Sequence, residues 1–162
     1  MARALIVGCG CRGRGLAGAL AARGWQLRGT SRRPEGLGAI EEAGIDPARA
    51  DPDRPGTVFD LCGDVAVVVW LLGSAAGQAD AVAAIHGPRL RTLLEKVVDS
   101  PVRGFAYESV GSVAEEALAE GAGIVRRAGE TWRIPVTLLD ADPERPDWAQ
   151  RTADAVAGLV AG

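Results

Sequence analysis

Soft, titratable and aromatic side chains are scarce in this chain of 162 residues. It has three cysteines, one methionine, one tyrosine, two phenylalanines and one histidine, and aromatic residues make up 4% of the whole. Cys9, Cys11 and Cys62 cannot form an even disulfide framework, which suits a reducing, cytoplasmic setting. A Cys-x-Cys pair with His86 as the lone imidazole supplies too few soft ligands for tetrahedral zinc, so no metal site is expected. No apolar run reaches the ~18 uninterrupted residues that a spanning helix needs. The run Ala4–Val7 is broken at once by Gly8, Gly10, Arg12 and Arg14, unlike the apolar stretch of a secretion signal. Basic charge is not in excess either: 18 basic against 21 acidic residues give a net charge of -3, which argues against nucleic acid and membrane surfaces as partners. Internal repeats and low-complexity segments are also missing.

What is present is enough apolar material for a real core. Hydrophobic residues are 48% of the chain, and its length suits one domain, expected to span residues 1–162. Short apolar, β-branched runs alternate with alanine-rich segments of helical period, the pattern of strands joined by helical crossovers in a parallel sheet. The strand candidates are Ala4–Val7, Gln26–Gly29, Ile45–Ala50, Val65–Leu72, Val102–Tyr107 and Ile134–Leu139. The helix candidates are Leu16–Arg23, Leu37–Ala43, Gly56–Cys62, a long Ala79–Val98, Val113–Trp132 and Trp148–Val160. Gly24 and Gly44 follow two of these helices as left-handed caps. The fold class expected is α/β: a Rossmann-like, doubly wound parallel sheet of about six strands. Two acidic, proline-rich segments, Ala50–Pro55 and Asp140–Pro146, read as surface loops.

The chemistry concentrates at the first strand–helix junction. Gly8-Cys9-Gly10-Cys11-Arg12-Gly13 is a G-x-G-x-x-G that directly follows a strand and opens a helix, the context in which this short pattern carries meaning. Gly8 allows the tight turn, Gly10 lets backbone approach a pyrophosphate, and Gly13 lets helix pack on strand. The free N–H groups at the helix start face the phosphate oxygens, and Arg12 and Arg14 add positive charge. A site selective for NAD carries an acid near the end of the second strand to bond the ribose 2′-OH. Here that region reads Gly29-Thr30-Ser31-Arg32-Arg33. Two arginines with Thr30 and Ser31 as hydroxyl donors match a 2′-phosphate, which guanidinium binds bidentately. NADP(H) is therefore favoured, with NAD(H) as the other possibility, and Asp51 is placed to accept a bond from the adenine amino group.

With Gly8–Gly13, Leu16-Ala17, Thr30-Ser31-Arg32, Asp51 and Val65–Leu72 ending in Gly73-Ser74, the chain resembles the atypical and extended short-chain dehydrogenase/reductase superfamily. It is most similar to the small NAD-dependent epimerase/dehydratase-like proteins, whose turn reads much like Gly-Cys-Gly-x-x-Gly-Arg. The resemblance spans nearly the whole length and implies that Leu72 and Gly73 join the cofactor site. It also implies a Ser or Thr after the fifth strand and a Tyr-x-x-x-Lys on the next helix, the lysine lowering the tyrosine pKa.

Here the chain departs from that pattern. Tyr107 lies in the fifth strand with Gly111 four residues on, and Lys96, the one lysine, precedes it, so the dyad is lacking. Ser109 matches the strand-five serine region, and His86 falls where the family often carries an asparagine. The family's separate substrate lobe is expected to be missing, leaving the substrate side open or completed by another subunit, and a homodimer is possible.

Two readings follow. The preferred one is a module that binds a dinucleotide, NADP(H) above all, without the family's usual chemistry. The alternative is an NADP(H)-dependent oxidoreductase or epimerase of unorthodox mechanism acting on a small molecule. Its proton donor at the nicotinamide end would be Tyr107, Ser109, Glu108 or His86. Each of these has a plainer role open to it: Tyr107 as strand-end packing, Glu108 as a solvated carboxylate, His86 as a surface or core residue. The ligand is expected at the carboxyl ends of the strands, with Gly73–Ala76 and Tyr107–Gly111 facing the nicotinamide.

Overall fold

In a computed structural model, residues 2–161 are described, and their organisation starts from the period-two pattern of the strands. In β1 (Arg3–Val7), Leu5 and Val7 face one side of the sheet and Ala4 and Ile6 the other, and all four are fully buried. Both faces must therefore be covered, which is the condition for a parallel sheet. The other strands are β2 (Gln26–Ser31), β3 (Asp46–Arg49), β4 (Val67–Trp70), β5 (Gly104–Glu108) and β6 (Val136–Leu139). All five pairings are parallel, and the strand order is β3-β2-β1-β4-β5-β6. The chain runs outward from β1 to β3 and then returns across β1 to β4, so the order reverses between β1 and β4. At such a switch point the outgoing connections part and leave a crevice at the carboxyl ends of the strands.

Helices α1 (Cys11–Ala21), α2 (Pro34–Glu42) and α7 (Trp148–Gly158) cover one face with Leu16, Leu20, Ile40, Ala153 and Val156. Helices α3 (Pro55–Phe59), α4 (Ala79–Ile85), α5 (Pro88–Val97) and α6 (Glu115–Trp132) cover the other, where Trp70, Phe105 and Tyr107 meet Leu90, Leu93, Leu94 and Val125. Trp70 is fully buried and donates its indole N–H to the Ile85 carbonyl at 3.1 Å. Trp148 is buried as well, whereas Trp132 is exposed. At the amino ends of the strands, away from the crevice, Arg28 bridges Asp46 at 2.8 Å and Asp64 at 2.7 Å. None of the helices among the described residues is long and apolar enough to cross a membrane.

Most boundaries move by one to three residues from the sequence expectation, and three differences bear on the site. The helix expected over Ala79–Val98 is two helices, because Pro88 has no N–H to donate and its ring clashes with the carbonyl four residues back. Pro88 begins α5 instead, and the chain breaks at His86 and Gly87. The first helix starts at Cys11 rather than Leu16: Gly10 is extended and serves as its N-cap, so the last glycine of the turn lies inside the helix. The fifth strand is shifted toward its carboxyl end and includes Glu108. Gly24 and Gly44, which follow α1 and α2, take φ of +88° and +79° and turn the chain back toward the sheet.

Candidate functional site

The turn after β1 is fixed by its glycines in different ways. Gly8 has φ +85°, and a Cβ there would lie 2.7 Å from the Leu71 carbonyl oxygen of the neighbouring chain segment. Its N–H donates to Thr30 Oγ1 at 3.3 Å, and the next N–H, of Cys9, donates to the Thr30 carbonyl at 3.1 Å. Thr30 is 2% exposed, and its hydroxyl oxygen holds the glycine turn against β2 while the residue lines the cleft. A Cβ on Gly13 would touch Ile6 and the Cys9 sulfur at 3.3 Å, which is how the helix comes so close to the strand. Gly10 is the opposite case: a Cβ built on it meets nothing within 4 Å. Its carbonyl accepts the first bond of α1, from the Arg14 N–H at 2.9 Å. The N–H groups of Cys11, Arg12 and Gly13 precede that bond and carry the positive end of the helix dipole.

These groups line a cleft of about 550 Å³ at the carboxyl ends of the strands. It takes in residues 8–14 of the turn and α1, residues 30–33 at the end of β2, residues 50–53 after β3, and Leu71 and Leu72 after β4, with α4 as a further wall. The structure thus brings Gly8, Gly10, Cys11, Arg12, Gly13, Thr30, Ser31, Arg32, Arg33, Asp51 and Leu72 around one space. Arg32 and Arg33 are exposed at its rim, and among the described residues neither takes part in an ion pair. Ser31 Oγ accepts the Arg33 N–H at 3.2 Å and stands so close to Gly36 that any side chain there would collide with it. Asp51 accepts the Asp53 N–H at 2.9 Å and shapes the loop after β3.

Cys11 is exposed at the start of α1, whereas Cys9 is buried and burial pushes its thiol up to about 11, partly offset by Arg14. At that value Cys9 is a neutral packing group. Cys62, also buried, is pushed up to about 12 for the same reason.

The expected proton donors are not brought to this cleft. Tyr107 is fully buried among Trp70, Phe105 and α6, on the face of the sheet covered by α3 to α6. Burial, with the charges of Glu108 and Glu120, holds its hydroxyl well above the usual tyrosine range. Its hydroxyl lies 2.6 Å from His86 Nδ1, and His86 Nε2 lies 2.9 Å from the Leu72 carbonyl. A carbonyl can only accept, so Nε2 carries the hydrogen and, in the neutral imidazole, Nδ1 accepts the Tyr107 proton. His86 is fully buried, and burial lowers its pKa, which keeps the ring neutral. The Tyr107–His86 pair is therefore a neutral bridge in the core. The expectation that either faces a substrate is corrected, because period two along β5 turns Tyr107 away from the α1 face. Ser109 is half-buried, donates its N–H to the Leu139 carbonyl at 3.1 Å, and does not line the cleft.

Glu108 is the residue that sequence reasoning misjudged most. It is 1% exposed, not solvated. One oxygen accepts the Gly73 N–H at 2.8 Å, and the carboxylate is paired with Arg12, whose guanidinium also stands over the Trp148 ring at 5.4 Å. Arg12 is thus committed to a carboxylate, and Arg14 is the nearer source of free charge at the turn. Gly73 does not line the cleft: its carbonyl accepts the Val113 N–H at 2.9 Å, and a Cβ on it would run into the Val110 carbonyl oxygen. Gly111, with φ +145°, is packed against Gly73 from the other side. Of the loops expected to face a ligand, the one after β4 lines the cleft with Ser74, Ala75 and Ala76, whereas residues 107–111 do not line it and the loop after β5 closes on Gly73 and Ser74.

No family model matches the sequence, and no curated protein matches it. Solved structures do. A metagenomic short-chain oxidoreductase in complex with NADP is 18% identical with a TM-score of 0.68, over 96% of this chain and 90% of that one. Triphenylmethane reductase from Citrobacter sp., complexed with NADP(H), is 16% identical with a TM-score of 0.63, over 84% of this chain and 48% of that one. UDP-glucuronic acid 4-epimerase from Bacillus cereus, in complex with NAD, is 17% identical with a TM-score of 0.67, over 84% and 54%. The chain thus spans about half the length of the reductase and the epimerase. At these identities the likeness is one of fold, and it defines the class: a Rossmann-type α/β domain built like those of short-chain oxidoreductases and nucleotide-sugar epimerases.

Proposed function

We propose that the cleft binds a nicotinamide adenine dinucleotide, with NADP(H) preferred over NAD(H), and that it does so without the hydride chemistry of a Tyr-x-x-x-Lys site. The observation that carries this reading is the turn itself. Gly8 is held in a left-handed conformation that only glycine adopts readily, Gly10 faces open space, and the N–H groups of Cys11 to Gly13 meet the same space. Arg32 and Arg33, free of carboxylate partners among the described residues and 19 to 20 positions beyond Gly13, are the groups for the 2′-phosphate. No acid stands at the end of β2 to oppose them. Conventional ketone reduction is left out of the reading because the one phenol is buried and its hydroxyl donates a hydrogen bond to neutral His86. The solved structures named above bind NADP or NAD in the same fold, which supports the class of ligand.

Titration calorimetry with NADPH and NADH tests the preference. The arginine pair should make NADPH bind at least ~10-fold more tightly, about 1.4 kcal/mol, and Arg32→Ala should narrow that gap. Equal affinity, or a preference for NADH, overturns the role given to the arginines.

A further inference from the structure

We propose that recognition in this cleft stops at the adenosine half of the dinucleotide. The ligand chemistry read is then a 2′-phosphorylated adenosine diphosphate group, and the state of the nicotinamide ring is not read at all. This rests on the dinucleotide reading above and narrows it.

A doubly wound sheet has two nucleotide-sized halves, one over the strands on each side of the switch point. The 2′-phosphate contacts assign the adenosine to β1–β3, which leaves the ring nucleotide for β4–β6. The cleft serves these halves unequally. Every residue lining it lies between Gly8 and Ile85, and none comes from β5, β6, α6 or α7. On the β1–β3 side it offers Arg32 and Arg33 for phosphate and Asp51 for an exocyclic amine. Opposite them stand the apolar surfaces of Leu71, Ala75, Val82 and Ile85, suited to a flat purine face.

Beyond Leu71, Leu72 and Ser74–Ala76 after β4, which line the cleft, the ends of β5 and β6 are filled by the protein. Glu108 is buried there with its oxygens taken by the Gly73 N–H and by Arg12, and Arg12 is backed by Trp148. The loops after β4 and β5 are closed by two bonds, Val113 N–H to the Gly73 carbonyl at 2.9 Å and Ser112 N–H to Ser74 Oγ at 3.2 Å. Gly111 lies so near Gly73 that no side chain fits between them. Seating a nicotinamide ring between these loops requires breaking the bond from the Gly73 N–H to the buried Glu108 carboxylate and disturbing its pair with the partly exposed Arg12, which is unfavourable. A ring left in solvent costs the protein nothing.

The test is a set of calorimetric titrations of the purified chain with NADP⁺, NADPH and 2′-phospho-ADP-ribose. The three affinities should agree within about fivefold, since the ring adds no contact. NADPH emission should keep the wavelength it has free in water. A difference of more than about fivefold between either dinucleotide and 2′-phospho-ADP-ribose, or between NADP⁺ and NADPH, overturns the proposal while leaving the dinucleotide site standing. A blue-shifted NADPH emission, showing a ring out of water, does the same. Absence of binding by all three overturns the dinucleotide reading itself and this inference with it.

Discussion

At the carboxyl ends of β1, β2 and β3 the chain leaves helix N–H groups, two arginines without carboxylate partners among the described residues, and open space. Toward β5 and β6 the same depth of sheet holds a partly buried ion pair, a tryptophan and a loop after β5 that is bonded back to the loop after β4. Both halves use glycine for the approach of backbones, but to different ends. Gly10 keeps a space empty, whereas Gly73 and Gly111 let two loops fill one. The contrast teaches that a glycine-rich strand end is not by itself a binding site. What decides is whether the polar groups it exposes already have partners within the protein.

Four perturbations bear on that contrast, the strongest first. Gly73→Ala should unfold or severely weaken the protein, by about 3 kcal/mol or more, because its Cβ meets the Val110 carbonyl and the Glu108 carboxylate and neither can retreat. Urea denaturation reads this. A wild-type midpoint would mean the two loops are not closed as described. Glu108→Ala should cost about 2–3 kcal/mol, leaving the buried Gly73 N–H unpaired and Arg12 without its carboxylate; the partial exposure of Arg12 keeps the loss below that for a wholly buried pair. Glu108→Gln, which can still accept the Gly73 N–H, should lose less.

Acid has a smaller effect with a defined sign. His86 is held neutral by burial, so its folded pKa lies below its unfolded value. Above pH ~6.5 neither state binds a proton there and stability is unaffected. Below it the unfolded chain takes up a proton that the native core refuses, so stability falls toward the lower folded pKa by at most ~1.4 kcal/mol per pH unit. His86 is the one histidine in the chain. Unfolding free energies at pH 7.5 and 5.5 should therefore differ in the wild type and converge in His86→Gln. An unchanged pH dependence in that variant would contradict the neutral bridge to Tyr107.

Much of the β1–β3 half was legible in the sequence because its signals are local. The strand, the three glycines and the first helix are contiguous, and Arg32 and Arg33 follow a strand whose end is marked by composition alone. The other half depends on contacts that no local pattern carries. Arg12 and Glu108 are 96 positions apart, and a glutamate ending an apolar strand reads as solvated unless its partner is known. The one available signal was an arginine inside the glycine turn, where a phosphate site gives no reason to prefer that position over Arg14. Tyr107 misled for a related reason: its distance from the crevice depends on which face of β5 it occupies, and a shift of one residue reverses that. The break at Pro88 was readable from proline chemistry but was masked by the helical period on either side of it.

The smallest effect on stability is expected at Gly10, and there the central claim is most exposed. Gly10→Val places its side chain in a space that holds no protein atom within 4 Å of the Cβ, on a backbone with φ -85°. The fold should lose no more than ~1 kcal/mol, the cost of an apolar residue at an N-cap. The same side chain occupies the place assigned to the pyrophosphate. Calorimetric titration of this variant with NADPH, beside the wild type and after urea denaturation has shown both to be folded, should give binding to the wild type and none to the variant. Binding of NADPH to folded Gly10→Val with wild-type affinity would contradict the assignment of the turn as the dinucleotide site.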